Sequence, residues 1–338
     1  MMAGATASAP LAAAAPLGLV ALNLGGPDSL DDVELFLHRL LSDPDVVQLR
    51  WPLRPWLARV VARRRGPESR ANYAQIGGRS PIREETIAQA AAVAAELGRR
   101  GVPVRPVVAM AAWHPFADEA VAELRTRGIA RAVALPLFPH KSRTTTGSSL
   151  GQLEKARAQA GSLEVAAIER YPDAEGYVRA VADRIEEAMA TLPPELRAEA
   201  PVLFSAHGLP EAYIRRGDPY LDDIRITVEA VTRRLGLGAR ARLCFQSKLG
   251  RRRWLGPATE TVLDELAAAG TPAVVVVPIA FTGEHIETLW EIDIFYRERA
   301  EKAGIKHFAR ARTVGCHPAF IAALADLVEA AARARGWA

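Results

Sequence analysis

Short apolar runs alternate with segments of helical period from residue 17 onward, and few architectures accept that pattern. Leu17–Leu22, Val104–Met110, Arg131–Leu137, Leu163–Ile168, Val202–Ser205, Arg242–Gln246 and Ala273–Pro278 read as strands. Ala273–Val277 is β-branched and does not alternate with polar residues, as expected of a strand buried on both faces. Strand–helix repetition dictates mainly parallel sheet with helices on both faces, an α/β fold. Ser29 is expected to cap a helix through Val33, Leu37, Leu40 and Leu41. Further helices are expected from Pro115 to Arg127, from the hydroxyl-rich Thr144–Ser149, and from Pro318 to Arg333.

At 338 residues the chain has room for two domains. The join is expected around Leu150–Gly161, giving a first domain over 17–150 and a second over 151–315. Residues 1–16, rich in Ala and Pro, read as a disordered tail. The last helix, within 316–336, is expected to pack back on the first domain. Similarity between the two halves is not visible in the sequence.

Composition removes several function classes. A formal net charge of +4 gives little support to nucleic-acid binding. Two cysteines, Cys244 and Cys316, cannot build a disulfide framework or a four-thiolate metal site, which fits a reducing cytoplasm. No basic residue precedes the apolar N-terminal stretch, and Pro10 and Pro16 interrupt it, so a secretory signal is not expected. No apolar run approaches the roughly 20 residues of a membrane span.

Pro278–Tyr296 follows the most apolar strand. Glu284, Glu287 and Glu291 fall at i, i+3 and i+7, one stripe of an α-helix, with His285 beside it. A solvated face accounts for such a stripe. So does a ligand site, because open α/β sheets bind ligands at the carboxyl ends of their strands. His207, in Phe204–Pro210, stands at another strand end with Gly208 leaving access. Ser205 lies outside any G-x-S-x-G elbow. Leu22–Pro27 lacks dinucleotide-binding spacing. Thr144–Ser149 is either a phosphate cradle or a helix cap. His207 and Glu287, at the ends of separate strands, form an open two-ligand metal site, with imidazole suited to iron among others.

Leu49–Arg65 combines Trp51, Leu53, Trp56, Leu57 and Val60 with arginines. Such a helix suits an anionic membrane surface, the rim of an apolar pocket, or ordinary packing.

Seven stretches together resemble the ferrochelatases, enzymes that insert Fe²⁺ into protoporphyrin IX. They are LNLGGPDSLDDVELFLHRLLSDPDVV (Leu22–Val47), YAQIGGRSPI (Tyr73–Ile82), WHPFADEAVAEL (Trp113–Leu124), TTTGSSL (Thr144–Leu150), FSAHGLP with RRGDPY (Phe204–Tyr220), QSKLGRRRWLGPATE (Gln246–Glu260) and PIAFTGEHIETLWEID (Pro278–Asp293). The resemblance implies two Rossmann-like domains around a porphyrin cleft, the class II chelatase arrangement. It implies that His207 and Glu287 are the catalytic pair and contact the metal, with His285 and Glu291 on the neighbouring acidic path. It places Leu24, Arg64, Arg65, Ser80, Trp113 and Trp254 around the porphyrin, the arginines on its propionates.

Phe295 stands where animal-type members continue the acidic ladder, Leu24 where some have Met, and Ala112–Trp113 where animal-type members have Arg-Tyr. Without a C-terminal cysteine cluster, no [2Fe–2S] cluster is expected, and no organic cofactor. The resemblance implies protoporphyrin IX and ferrous iron as partners, a monomer, and a cytoplasmic location with peripheral contact at the inner membrane face through residues 51–61. The rival readings are a chelatase for coproporphyrin III or cobalt, and a non-catalytic tetrapyrrole-binding protein.

Overall fold

A computed structural model describes residues 17–48, 53–161, 163–248 and 252–337. The tail expected at 1–16 and the lip residue Trp51 lie outside these. The first half runs β1 (Leu17–Asn23), α1 (Val33–Ser42), α2 (Leu53–Gln75), α3 (Ile82–Arg99), β2 (Val104–Met110), α4 (Ala117–Thr126), β3 (Arg131–Pro136), α5 (Ser148–Ala160) and β4 (Glu164–Ala167). After α6 (Glu175–Ala190) come β5 (Val202–His207), α7 (Glu211–Ile214), α8 (Tyr220–Leu235), β6 (Ala241–Gln246), α9 (Thr259–Ala268) and β7 (Ala273–Pro278). A π-helix (Glu287–Tyr296), α10 (Arg297–Ala303), β8 (His307–Arg310) and α11 (Pro318–Ala334) complete the chain.

Two four-stranded parallel sheets result, ordered β2-β1-β3-β4 and β6-β5-β7-β8. The orders are the same with each number raised by four, and in both halves the third strand leads into a π-helical segment, at Arg143–Gly147 and at Glu287–Tyr296. That internal likeness is invisible in the sequence. In each sheet the connections after the first and third strands diverge, which opens a crevice above their carboxyl ends. In the second sheet Phe204 of β5 faces Leu243 of β6 and Val277 of β7, so His207 ends up level with the exit of β7.

The expected join needs correcting. Leu150 lies inside α5, and β4, assigned by the sequence reading to the second domain, pairs with β3 through Arg131–Glu164 and Ala134–Ala167. The first sheet therefore extends to Ala167. Ser29 also does not cap α1. Its hydroxyl donates to Asp32 Oδ2, residues 29–32 form a turn, and the helix starts at Val33.

One core joins the halves. Leu19 and Leu135 of the first sheet, Phe204 and Val275 of the second, Tyr177 of α6 and Phe320 of α11 belong to the same buried cluster. The helix α11 packs on both α3 and α6, with Arg100 paired to Asp326 at 2.5 Å. At Gly176 a Cβ would lie 2.2 Å from the Ala319 carbonyl oxygen, so only glycine lets α6 and α11 approach this closely.

Candidate active site

His207 is the last residue of β5, and its imidazole projects where the sheet ends. Nδ1 lies 2.8 Å from Glu287 Oε2. The two side chains keep 37% and 21% of their exposure, so the pair is sheltered but reachable. The Tyr220 hydroxyl donates to the His207 carbonyl at 2.9 Å and fixes the strand end.

Glu287 opens the π-helix and Glu291 follows four residues later. The wider i→i+5 winding turns both carboxylates toward one residue, Ser247, just beyond β6. Ser247 N donates to Glu291 Oε1 at 2.9 Å, and its hydroxyl lies 2.5 Å from Glu291 Oε2 and 3.3 Å from Glu287 Oε2. Ser247 is the only non-glycine residue at positive φ among the described residues, at +63°. Strain of this kind is held in place by its surroundings and concentrates at functional sites. Glu291 also accepts from Tyr296 (3.1 Å) and Gln246 (3.3 Å).

Burial acts against charge on both members of the His207–Glu287 pair, but each partner more than offsets it for the other. The His207 pKa is raised and that of Glu287 is lowered. Glu291 moves the other way: burial and then the Glu287 charge raise it. Tyr73, at the end of α2, is pushed up by burial and then by the Glu287 charge. The array therefore joins three groups with shifted proton affinities, His207, Glu287 and Glu291, the two carboxylates through the Ser247 hydroxyl.

The other expected residues fall in different places. His285 is 7% exposed, tilted at 55° against the Phe281 ring with centroids 4.5 Å apart, with Nδ1 unpartnered among the described residues. Burial lowers its pKa, so it is a neutral imidazole behind the pair. Glu284 leaves the expected stripe: it precedes the helix and turns to Arg310, whose Nη1 reaches both of its oxygens at 3.0 Å. The α-helical period assumed for this segment is what failed.

Leu24 is half-buried, with its amide on Asn23 Oδ1 and its carbonyl accepting from Ala112 N. Trp254 is half-buried, its ring 3.2 Å from where a Cβ on Gly208 would lie and its backbone bridged to Pro210. Ser80 and Trp113 are 4% and 5% exposed, so neither presents its side chain to solvent. Ser80 packs against Gly26, where a Cβ would lie 2.5 Å from its own. Trp113 packs edge-on to Phe36 and donates to Asp28 at 3.0 Å. Arg64 and Arg65 are exposed on α2 and make no ion pair among the described residues. Leu53, Trp56 and Val60 form an exposed stripe on the same helix at 62%, 66% and 43%.

Thr144–Ser149 lies within a π-helical turn, whose cap is Ser142, and the start of α5, and the hydroxyls of Thr145, Thr146 and Ser149 are buried with no partner among the described residues. Ser142 Oγ accepts from Thr144 N, and Ser148 donates to Asp43. Sequence reading gave no role to Ser247, Tyr220 or Arg310. All three sit at or beyond a strand's carboxyl end or on a helix opening nearby, and Ser247 and Tyr220 also lie within stretches that carry the family resemblance.

Comparison with known proteins identifies the family. The family model described as Ferrochelatase matches residues 16–332. The ferrochelatase of Geotalea uraniireducens is 44% identical over 309 residues, covering 91% of this chain and 95% of that protein. That of Synechococcus sp. strain JA-3-3Ab is 45% identical over 318 residues, covering 92% of each. The chain belongs to the ferrochelatase family. Bacillus subtilis SirB, solved with Fe³⁺, overlays with a TM-score of 0.50 at 18% identity, covering 74% of this chain and 92% of SirB. That likeness shows the fold alone, a two-sheet chelatase arrangement. Ferrochelatases take ferrous iron as substrate, so this is an enzyme of porphyrin metallation.

Proposed function

We propose that the enzyme inserts Fe²⁺ into protoporphyrin IX to form protohaem, releasing two protons, at the His207–Glu287 pair. The single observation that carries the assignment is the hydrogen-bonded array His207–Glu287–Ser247–Glu291 at the carboxyl ends of β5, β6 and β7. Metallation removes two pyrrole N–H protons while a hydrated cation sheds water. His207 and Glu287 hold one proton between them at rest, and that proton leaves before His207 accepts one from a pyrrole. Ser247 connects Glu287 to Glu291, whose raised pKa makes it a receiver. The same two groups, imidazole and carboxylate, suit a transient ferrous ion.

Leu24 and Trp254 are assigned to the porphyrin walls, Ser80 and Trp113 to the shape of the turns behind them, and Arg64 and Arg65 to the propionates. The exposed Leu53–Trp56–Val60 stripe, flanked by arginines, supports peripheral contact with an anionic membrane face and a cytoplasmic location. No helix among the described residues is long and apolar enough to cross a membrane. A monomer without organic cofactor or [2Fe–2S] cluster is the working assignment, since two cysteines cannot hold a cluster that needs four.

Anaerobic insertion of Fe²⁺ into protoporphyrin IX and coproporphyrin III tests the reading. Turnover should favour protoporphyrin, and His207→Ala should abolish it. Porphyrin binding without turnover by the wild type would overturn the assignment. Flotation with anionic liposomes tests the lip: Trp56→Ser should reduce recovery with lipid, and equal recovery returns the stripe to the pocket rim.

A further inference from the structure

Glu287 and Glu291 act only if the π-helix holds one rotational setting about its axis, because both must reach the β5–β6 edge together. The opposite side of that helix carries a second charged group. Arg310, the last residue of β8, keeps only 9% of its side-chain exposure. Its Nη1 donates to both oxygens of Glu284 at 3.0 Å, and its Nε lies 3.2 Å from Asp293 Oδ2, a charge contact without hydrogen-bond geometry. Glu284 is three residues before Glu287, and Asp293 is two after Glu291.

Each carboxylate is tied further to the local backbone. Glu284 accepts from Thr313 N at 3.0 Å and from Thr288 Oγ1 at 2.6 Å, and Thr288 Oγ1 in turn accepts from His285 N. Asp293 is also paired with Arg297, whose Nη1 donates to the Phe308 carbonyl at 2.5 Å. One guanidinium thus grips the segment at two points nine residues apart, bracketing both site glutamates, and anchors it to an edge strand. Wide π-turns are rare and marginal as free-standing structure, so an external clamp has a physical task here.

We infer that Arg310 is a positioning residue: through Glu284 and Asp293 it sets the rotation of the π-helix that places Glu287 and Glu291 against His207 and Ser247. It touches none of the four. The planar fork of arginine suits this bridging of two carboxylates, and the single ammonium of lysine does not. The inference rests on the roles proposed for Glu287 and Glu291.

The test uses the full-length enzyme with Fe²⁺ and protoporphyrin IX. Arg310→Lys should lower kcat about ten- to a hundredfold, since small misplacements of reacting groups carry costs of that size. Porphyrin Kd, read by fluorescence, should stay within about threefold, because binding common to ground and transition state is untouched. Arg310→Met leaves Glu284 without its ion-pair partner, while Asp293 keeps Arg297, and endangers folding. The triple variant Glu284→Gln/Asp293→Asn/Arg310→Met removes the charges together and keeps the experiment decisive. It should recover a thermal midpoint above that of Arg310→Met while kcat remains low. Wild-type kcat in the triple variant overturns the inference, as does a rise in porphyrin Kd as large as the fall in kcat. Glu287→Gln belongs in the same series: full activity there would sink the site reading itself, and the role of Arg310 with it.

Discussion

Ser247 holds a backbone conformation that L-residues avoid, and what it gains is contact with two carboxylates at once. Its amide donates to Glu291, and its hydroxyl stands between Glu291 and Glu287. Ser247→Gly relieves the positive φ and keeps the amide, so it isolates the hydroxyl. A hydrogen bond to a charged group is worth roughly 1.5–3 kcal/mol, so kcat should fall about ten- to a hundredfold with porphyrin KM unchanged. A kcat within about twofold of wild type would falsify the connecting role. His140 poses a different residue-scale question. It is 2% exposed, with Nε2 2.8 Å from Thr227 Oγ1, and burial pushes its pKa down to about 3 from 6.5. The unfolded chain takes up this proton near pH 6.5 and the native protein does not until near pH 3. Between those values the unfolded state binds more protons, and stability falls with falling pH by at most ~1.4 kcal/mol per unit. Relative to His140→Gln, the wild type should lose about 2 kcal/mol more in urea unfolding between pH 6.5 and about 4.5. Parallel pH dependences would mean that His140 titrates normally in the fold.

Among elements, the segment after β7 shows what a sequence pattern conceals. Glu284, Glu287 and Glu291 fit an α-helical stripe by spacing, but Glu284 precedes the helix and the rest is π-wound, so the spacing rule groups the wrong three. The end of β5 that carries His207 and the end of β7 that precedes Glu287 were legible because apolar, β-branched runs mark buried parallel strands. The position of Ser247 depends on a tertiary contact across two strands, and no local pattern announces that. Side-chain direction was also hidden, as the inward-facing Ser80 and Trp113 show. A helix pair supplies the prediction at this scale. With the Ala319 oxygen only 2.2 Å and the Ala323 Cβ 2.8 Å from a Cβ built at Gly176, Gly176→Ala should force α6 and α11 apart. Overpacking of this kind costs typically 1–3 kcal/mol. A thermal midpoint equal to wild type would show that α11 shifts freely. Activity at low temperature should survive, because neither helix carries a site residue.

At the scale of the whole molecule, the alternation in the sequence was enough for two parallel sheets but not for which strand belongs to which. The strand β4 is only four residues long, its burial is partial, and its partner is chosen by the return path of α5 rather than by its own residues. Nor does any pattern foretell that the two sheets share a core. That sharing has a mechanical basis in polar ties across the halves. The Gln89 amide of α3, fully buried, donates to the carbonyls of Thr282 (2.8 Å) and Gly315 (3.0 Å). Thr282 Oγ1 donates to the Leu137 carbonyl at 2.9 Å, and the Tyr177 hydroxyl donates to that of Ile279 at 2.8 Å. These bonds hold the Pro278–Glu284 loop, and so the entry to the glutamate-bearing helix, against the first half. Because the largest apolar cluster crosses the same seam, the halves should not melt separately. Calorimetry should give one transition whose van't Hoff and calorimetric enthalpies agree. Gln89→Leu leaves the half-buried Gly315 carbonyl without its donor, while that of Thr282 keeps the Gly315 amide at 2.8 Å; the loss, roughly 1–3 kcal/mol, should lower that single transition without splitting it. Two resolved transitions in the wild type would mean that each sheet is stable alone and that the cleft between them is free to open.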